Sequence, residues 1–328
     1  MRRALGALAV LAAAAATSRG AAAFCRTSTC PLPAGFAPSD GQCVPPDFDS
    51  TCASMSTPVK NLPVYWSNVC VSYDIQQNAS KQVPYAAAVN LFAAAFAKWT
   101  NTTCAGASNG RVSITAENVG PVVCNKVQYS SDQGNQHVII FYDGDSWPYD
   151  DTVNTLGLTT ITFDPDTGEI YDADMAINSG TNVPLSLGDP VPADGYDFQS
   201  IITHESGHFL GMAHSGDEEA TMFARYKPGS TSMRTLSPDD TAGICSVYLA
   251  NGDRAVDPSV AASGTIVGGA CDPTPRHGFQ SVCAQPLGCA VSGALNGQRG
   301  RAPGSAALGA AALALAASVR RRARPPRM

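Results

Sequence analysis

Apolar residues recur along this chain in two rhythms, and the switches between them predict a mixed fold. Residues 64–75 (VYWSNVCVSYDI) have the aromatic and β-branched content of a strand. Residues 84–100 change to three- and four-residue spacing: Ala88, Leu91, Phe92, Ala95, Phe96 and Trp99 define one face of an amphipathic helix. Pro84 suits its first turn, where no backbone donor is needed. Residues 111–116 and 137–142 (HVIIFY) read as further strands. Residues 159–163 and 169–177 flank Asp164-Pro165-Asp166-Thr167-Gly168, a turn sequence, and so predict a hairpin. A Gly/Pro-rich loop (180–195) leads into a second helical run beginning near Asp197, with Phe198, Ile201, Ile202 and Phe209 on its buried side. There is no internal repeat. After Leu249 the composition shifts to Gly, Ala, Ser and Pro, which reads as a linker ending the folded unit.

The two ends change this picture. Residues 1–23 carry Arg2 and Arg3, an apolar Leu/Ala/Val run and a small-residue site at Ala21-Ala22-Ala23, the pattern of a secretory signal. The formal net charge of −6 hides an asymmetry: residues 24–298 hold 11 Lys/Arg against 27 Asp/Glu, a formal −16. So acidic a body repels phosphate backbones, and nucleic acid is not an expected partner. Eleven cysteines behind a signal peptide predict disulfides in an oxidising compartment. Seven lie in the N-terminal part, and Cys245 makes eight; the parity count predicts four bridges within that set. A separate Cys271–Cys283 bridge is expected, leaving Cys289 over.

The chemistry sits in the second helical run. His204 and His208, four residues apart, lie on one helical face and can present imidazoles to one metal, with Glu205 beside them to take a proton from a metal-bound water. Gly211 can adopt a left-handed conformation, end the helix and deliver His214 as a third ligand. Three His ligands leave the open position that a catalytic zinc requires. Histidine is scarce here, five in all, and three fall at these spacings.

The segment HESGHFLGMAH (204–214) resembles the extended zinc motif HExxHxxGxxH of the metzincins, and within them the matrixins. Ser215 follows the third histidine as in matrixins, and Met222, eight residues on, stands where that family places its Met-turn beneath the metal. Residues 236–248, from Leu236-Ser237-Pro238-Asp239-Asp240 to Tyr248, are similar to the family's closing helix; locally, Ser237 reads as its N-cap and Pro238 as its first residue. The resemblance implies an α+β metzincin-like domain over residues 61–250. Its parts are a twisted, mostly parallel sheet, a backing helix, an active-site helix and a C-terminal helix. It further implies one catalytic Zn2+ and peptide-bond hydrolysis, with Ala224 to Tyr226 as a specificity-pocket wall.

The sequence departs from the family in three places. Phe223 and Ala224 follow Met222, so no tyrosine stands two residues on as an extra ligand. Ala224 replaces the usual Pro. Only His137 and His277 remain for a structural second zinc, which is therefore expected to be absent. Asp143, Asp145, Asp164, Asp166, Asp172 and Asp174 are candidates for Ca2+, against the plainer reading of turn and loop acids.

Flanking the catalytic unit, residues 24–60 form a Cys-rich segment, 251–288 a linker with a Cys pair, and 289–328 a C-terminal tail. In the tail, Cys289 precedes an uncharged Ala-rich run and a cluster from Arg320 to Arg327, resembling sorting tails of the bacterial myxosortase type. That implies a sorting peptidase, membrane attachment through Cys289 and a cell-surface location. Gln42-Cys43-Val44-Pro45-Pro46-Asp47 faintly echoes the matrixin latency sequence, but its flanking Arg and Gly are missing, and a disulfide is the expected fate of Cys43. The expected function is a monomeric, secreted or surface-attached zinc endopeptidase acting on protein or peptide substrates. The competing reading is a catalytically silent surface adhesin on the same fold.

Overall fold

Polar Ser72 and Asp74 alternate with apolar Val71, Tyr73 and Ile75, which gives the first strand one core face and one polar face. The computed structural model describes residues 24–30, 60–106 and 109–280. Its elements run β1 (Cys70–Gln76), α1 (Tyr85–Thr100), two-residue β2 (Thr103–Cys104) and β3 (Gly110–Arg111), then β4 (Thr115–Val122), β5 (Val138–Asp143), β6 (Gly157–Phe163) and β7 (Ile170–Ser179). Two-residue β8 (Leu185–Ser186) and β9 (Tyr196–Asp197) precede α2 (Phe198–Phe209), followed by α3 (Pro238–Cys245), β10 (Asp253–Ala255) and β11 (Thr265–Val267).

The main sheet has the order β4-β1-β5-β7-β6. Its first four strands are parallel, and β6 closes the edge antiparallel to β7, completing the expected hairpin. The α+β architecture with a mostly parallel sheet is therefore as the sequence implies.

Boundaries shift where local signals are weak. The first strand starts at Cys70, and Tyr65 makes only an isolated bridge to Glu169. The fourth strand lies mostly beyond the predicted 111–116, because Glu117-Asn118-Val119-Gly120-Pro121 has only Val119 as a strand-type residue. It survives as an edge strand, where Pro is tolerated and the register can slip by one residue at Gly120.

One face of the sheet forms the core. Phe92, Phe96 and Trp99 of α1 pack on it, with Phe96 stacked on Tyr73 at 4.5 Å and Phe92 edge-on to Phe198 of α2 at 5.9 Å. Two indole N–H groups then fix α2, one at its middle and one at its C-terminal end. Trp99 Nε1 donates to the Thr203 carbonyl at 2.8 Å, and Trp66 Nε1 to the Phe209 carbonyl at 2.7 Å.

The composition shift after Leu249 does not end the ordered chain. β10 and β11 pair as a hairpin, and fully buried Arg254 donates to the carbonyls of Trp66, Asn68 and Ser113. Cys70–Cys271 ties this extension to β1, so Cys271 does not pair with Cys283, and the four-bridge count within the N-terminal set plus Cys245 does not stand. Cys104–Cys245 joins β2 to the end of α3, within the predicted set. Cys43, Cys52, Cys283 and Cys289, with the signal and the tail, lie outside the described residues.

Candidate active site

The helix that carries the histidines is capped and buried at its start. Asp197 is the N-cap of α2 and accepts from Ser200 N at 2.9 Å. From there His204 and His208 project from one face. Gly211 takes φ +88°, the left-handed turn read from the sequence, and the chain folds back to bring His214 to the same point. Backbone pairing supports that turn from outside the helix: Thr27 N donates to the Gly211 carbonyl and Ala213 N to the Cys25 carbonyl, both at 2.9 Å.

The three imidazoles meet through their Nε2 atoms. His204 Nε2 lies 3.1 Å from His208 Nε2 and 3.3 Å from His214 Nε2. His204 Nδ1 faces the Thr221 carbonyl at 2.7 Å and His208 Nδ1 the Met212 carbonyl at 2.8 Å. A carbonyl only accepts, so in His204 and His208 Nδ1 carries the proton and Nε2 is a bare lone pair. Burial pushes the pKa of His204 down to about 4 and of His208 to about 3, with the His204 imidazole adding to the shift of His208; His214 is lowered by burial and then by both other imidazoles. Converging neutral lone pairs in a buried site require a cation to satisfy them. Two nitrogens held at about 2.0–2.1 Å from a tetrahedral zinc stand roughly 3.3 Å apart, so the donor set fits that ion.

Glu205 is buried beside them. Its Oε2 accepts from Thr159 Oγ1 of β6 at 2.7 Å. Burial pushes its pKa up to about 8, against the Thr159 hydroxyl, which lowers it. Gly157 of β6 makes room for this carboxyl: a Cβ there would stand 2.6 Å from Glu205 Oε1.

Met222 is buried, and its backbone is held by Asp240. Met222 N donates to Asp240 Oδ1 at 3.0 Å and Thr221 N to Oδ2 at 2.7 Å. Asp240 also closes the capping box of α3 with Ser237 as N-cap and Pro238 in the first turn, as the sequence predicts. One carboxylate thus positions the carbonyl that orients His204. Ala224 and Tyr226 are buried in the loop after Met222.

Sequence reasoning missed Gly157, Thr159 and Asp240 as site residues. The only sequence signal was the cap pattern around Asp240. Of the calcium candidates, Asp143 accepts from Ser80 Oγ, Ser179 Oγ and Lys81 N, and Asp164 accepts from Asp166 N, Thr167 N and Tyr171. Asp164 thus serves its own turn, and Asp143 ties the end of β5 to residues 80–81 and to the end of β7. Among the described residues these six acids form no cluster of three ligand atoms, whereas His204, His208 and His214 do. No described helix is long and apolar enough to cross a membrane.

The family model described as Matrixin (Peptidase_M10) matches residues 65–249. Human matrilysin is 38% identical over 105 residues, which cover 32% of this chain and 36% of the relative. Metalloendoproteinase 1-MMP of Arabidopsis thaliana is 31% identical over 138 residues, 42% of this chain and 35% of the relative. Human matrix metalloproteinase-16 is 34% identical over 139 residues, 40% of this chain and 22% of the relative. The chain thus spans about a third or less of the length of these relatives.

Proposed function

The chain belongs to the matrixin family, and from that membership and its converging imidazoles we propose that it is a secreted zinc-dependent endopeptidase. His204, His208 and His214 are the metal ligands in this reading, and Glu205 is the general base. The carrying observation is the convergence of three Nε2 atoms, 3.1 and 3.3 Å apart along two sides, next to a buried carboxyl. Three protein ligands leave a coordination position open. When bound, zinc supplies a Lewis acid that polarises the peptide carbonyl and makes water acidic enough to react near neutral pH.

The protein's own groups do the rest. Glu205 accepts a proton from the attacking water and passes it to the leaving amine. Thr159 fixes one carboxyl oxygen by its hydrogen bond, so the proton-accepting oxygen has a defined direction. Thr221 and Met212 hold His204 and His208 in the tautomer that ligates. Met222 packs beneath the ligands, and the segment from Ala224 to Tyr226 walls the pocket for a substrate side chain.

Residues 1–23 are proposed to direct export, and the tail from Cys289 to attach a monomeric enzyme to the cell surface after cleavage near Cys289. Protein or peptide substrates follow from the chemistry. The test is a zymogram of the purified zinc-loaded protein, with a peptide library to read the products. Cleavage that disappears with a chelator and returns with zinc is the expected result. A protein that binds zinc and cleaves nothing would instead be the silent adhesin.

A further inference from the structure

The C-terminal end of the metal-bearing helix is capped by side chains from distant parts of the chain. The last carbonyls of a helix have no partner within it. At the end of α2 the Phe209 carbonyl accepts from Trp66 Nε1 at 2.7 Å, and the Leu210 carbonyl accepts from the Tyr248 hydroxyl at 2.9 Å. Phe209 and Leu210 directly follow His208, and the chain then turns at Gly211 so that the Met212 carbonyl meets His208 Nδ1 at 2.8 Å. The two caps therefore fix the start of the turn that orients one imidazole and delivers another. They are also joined to each other, since Trp66 N donates to Tyr248 Oη at 3.3 Å.

One guanidinium touches both caps, and it comes from Arg254, past residue 249 where the family match ends. Trp66 lies in residues 61–69, which make only isolated bridges, so most carbonyls there lack a strand ladder to satisfy them. Arg254 supplies donors instead: Nε to the Trp66 carbonyl at 2.8 Å, and Nη2 to those of Asn68 at 2.9 Å and Ser113 at 3.1 Å. Its Cζ stands 4.9 Å from the centre of the Tyr248 ring. Nη1 donates to Ser113 Oγ at 2.7 Å and to the carbonyls of Gly252 and Asp253, both at 3.3 Å. Every one of these acceptors is a neutral oxygen.

Tethering the extension does not explain the arginine. The Cys70–Cys271 bridge, the β10–β11 hairpin and the bond from Gly269 N to the Ser67 carbonyl at 2.8 Å already fasten it. Burying a whole positive charge against neutral acceptors is costly, and an apolar side chain would avoid that cost. What only the guanidinium supplies is several donors in one rigid plane, which hold the Trp66 backbone and the Tyr248 ring in a fixed relation.

We propose that Arg254 is a positioning residue for the metal centre: acting through Trp66 and Tyr248, it sets the His208 end of α2, and the extension after residue 249 is thereby part of the catalytic unit. The metal half rests on the zinc-ligand reading above; the helix-end half does not.

The test uses the full chain with four variants. Arg254→Met removes every donor, and Arg254→Lys keeps the charge without the plane. Trp66→Phe removes the indole donor, and Tyr248→Phe removes the hydroxyl while keeping the ring. Three quantities are read: zinc affinity by chelator competition, the visible spectrum of the Co2+-loaded protein, and amide exchange along α2 and residues 209–213. Arg254→Met should weaken zinc binding about tenfold and alter the Co2+ spectrum. Exchange should rise at 209–213 while the first turns of α2 stay as in the parent. Arg254→Lys should recover only part of the loss, and Tyr248→Phe and Trp66→Phe should shift all three readouts in the same direction. Adding Arg254→Met to Trp66→Phe should cost clearly less than it costs the parent, because the cap it acts through is already gone. Parent-like zinc affinity and Co2+ spectrum in a folded Arg254→Met overturn the proposal, and so does full additivity in the double variant. If Arg254→Met does not fold, Tyr248→Phe decides, and parent-like affinity and exchange in that variant overturn it. A parent that binds no zinc defeats the ligand reading instead. The exchange data then decide alone, and a rise spread evenly over α2, or none, overturns the positioning role.

Discussion

His204, His208 and His214 share one property with His137 and differ from it in another. All four are buried, and burial pushes His137 down to about 4, as it does His204. In both places Nδ1 donates to a carbonyl: His137 to Ser72 at 2.8 Å, His204 to Thr221 at 2.7 Å. Their Nε2 atoms part company. Those of the first three converge on each other, whereas His137 Nε2 faces Asp172 Oδ1 at 3.8 Å, and neither of these two atoms has a hydrogen-bond partner. A bare nitrogen opposite a carboxyl oxygen calls for one proton between them. Burial, and then the nearby Asp174, raise the Asp172 pKa well above the usual carboxylate range, the direction that favours the protonated acid. Low pKa and burial therefore do not mark a metal site. Convergence of several lone pairs does.

The largest expected effect breaks this comparison most directly. His208→Ala should lose zinc and at least about 10³-fold in activity, since a ligand is gone. His137→Ala should keep one zinc per chain, and equal zinc loss in both variants would erase the distinction. Gly157→Ala acts on the base and not the ligands. A methyl 2.6 Å from Glu205 Oε1 must displace the carboxyl, so activity should fall by about 10²-fold with zinc retained. Parent activity in that variant would mean the observed carboxyl position is irrelevant to turnover.

A smaller effect probes the His137 side. The folded pKa of Asp172 is raised above its unfolded value, and Asp174 beside it is pushed up to about 8. As pH rises from about 4 toward 8, the unfolded chain releases these protons while the folded one keeps them, so stability falls with rising pH. Asp172→Asn removes part of that slope. It should match the parent near pH 3, below the unfolded pKa, and melt about 2–4 °C higher at pH 8. Parallel melting curves would contradict the neutral-acid account. The smallest expected change is Met222→Leu: about 1 kcal/mol of stability and part of the activity, with zinc unchanged, because volume is roughly conserved and no ligand is removed.

The cluster of three histidines was legible because its geometry is local. His204, His208, Gly211 and His214 lie within one helix and one turn, where spacing alone determines which side chains meet. Phe92, Phe96 and Trp99 were legible for the same reason. The supporting groups come from far along the chain. Thr159 reaches Glu205 across 46 residues, Arg234 reaches Asp197 across 37, and Cys271 reaches Cys70 across 201. No periodicity encodes such pairings. The extension after Leu249 was misread because composition reports propensity and not tethering. One buried arginine and one disulfide hold that Gly- and Ala-rich stretch in place.

The central claim is that Glu205 is a base and not a ligand, and zinc stoichiometry measured beside peptide cleavage tests it most directly. Glu205→Gln should keep one zinc per chain, as the parent should, while cleavage falls by about 10²–10⁴-fold. His214→Ala, measured in parallel, should lose both. Cleavage by Glu205→Gln at the parent rate would contradict the proposed role of the base, and zinc loss as complete as in His214→Ala would contradict the ligand set.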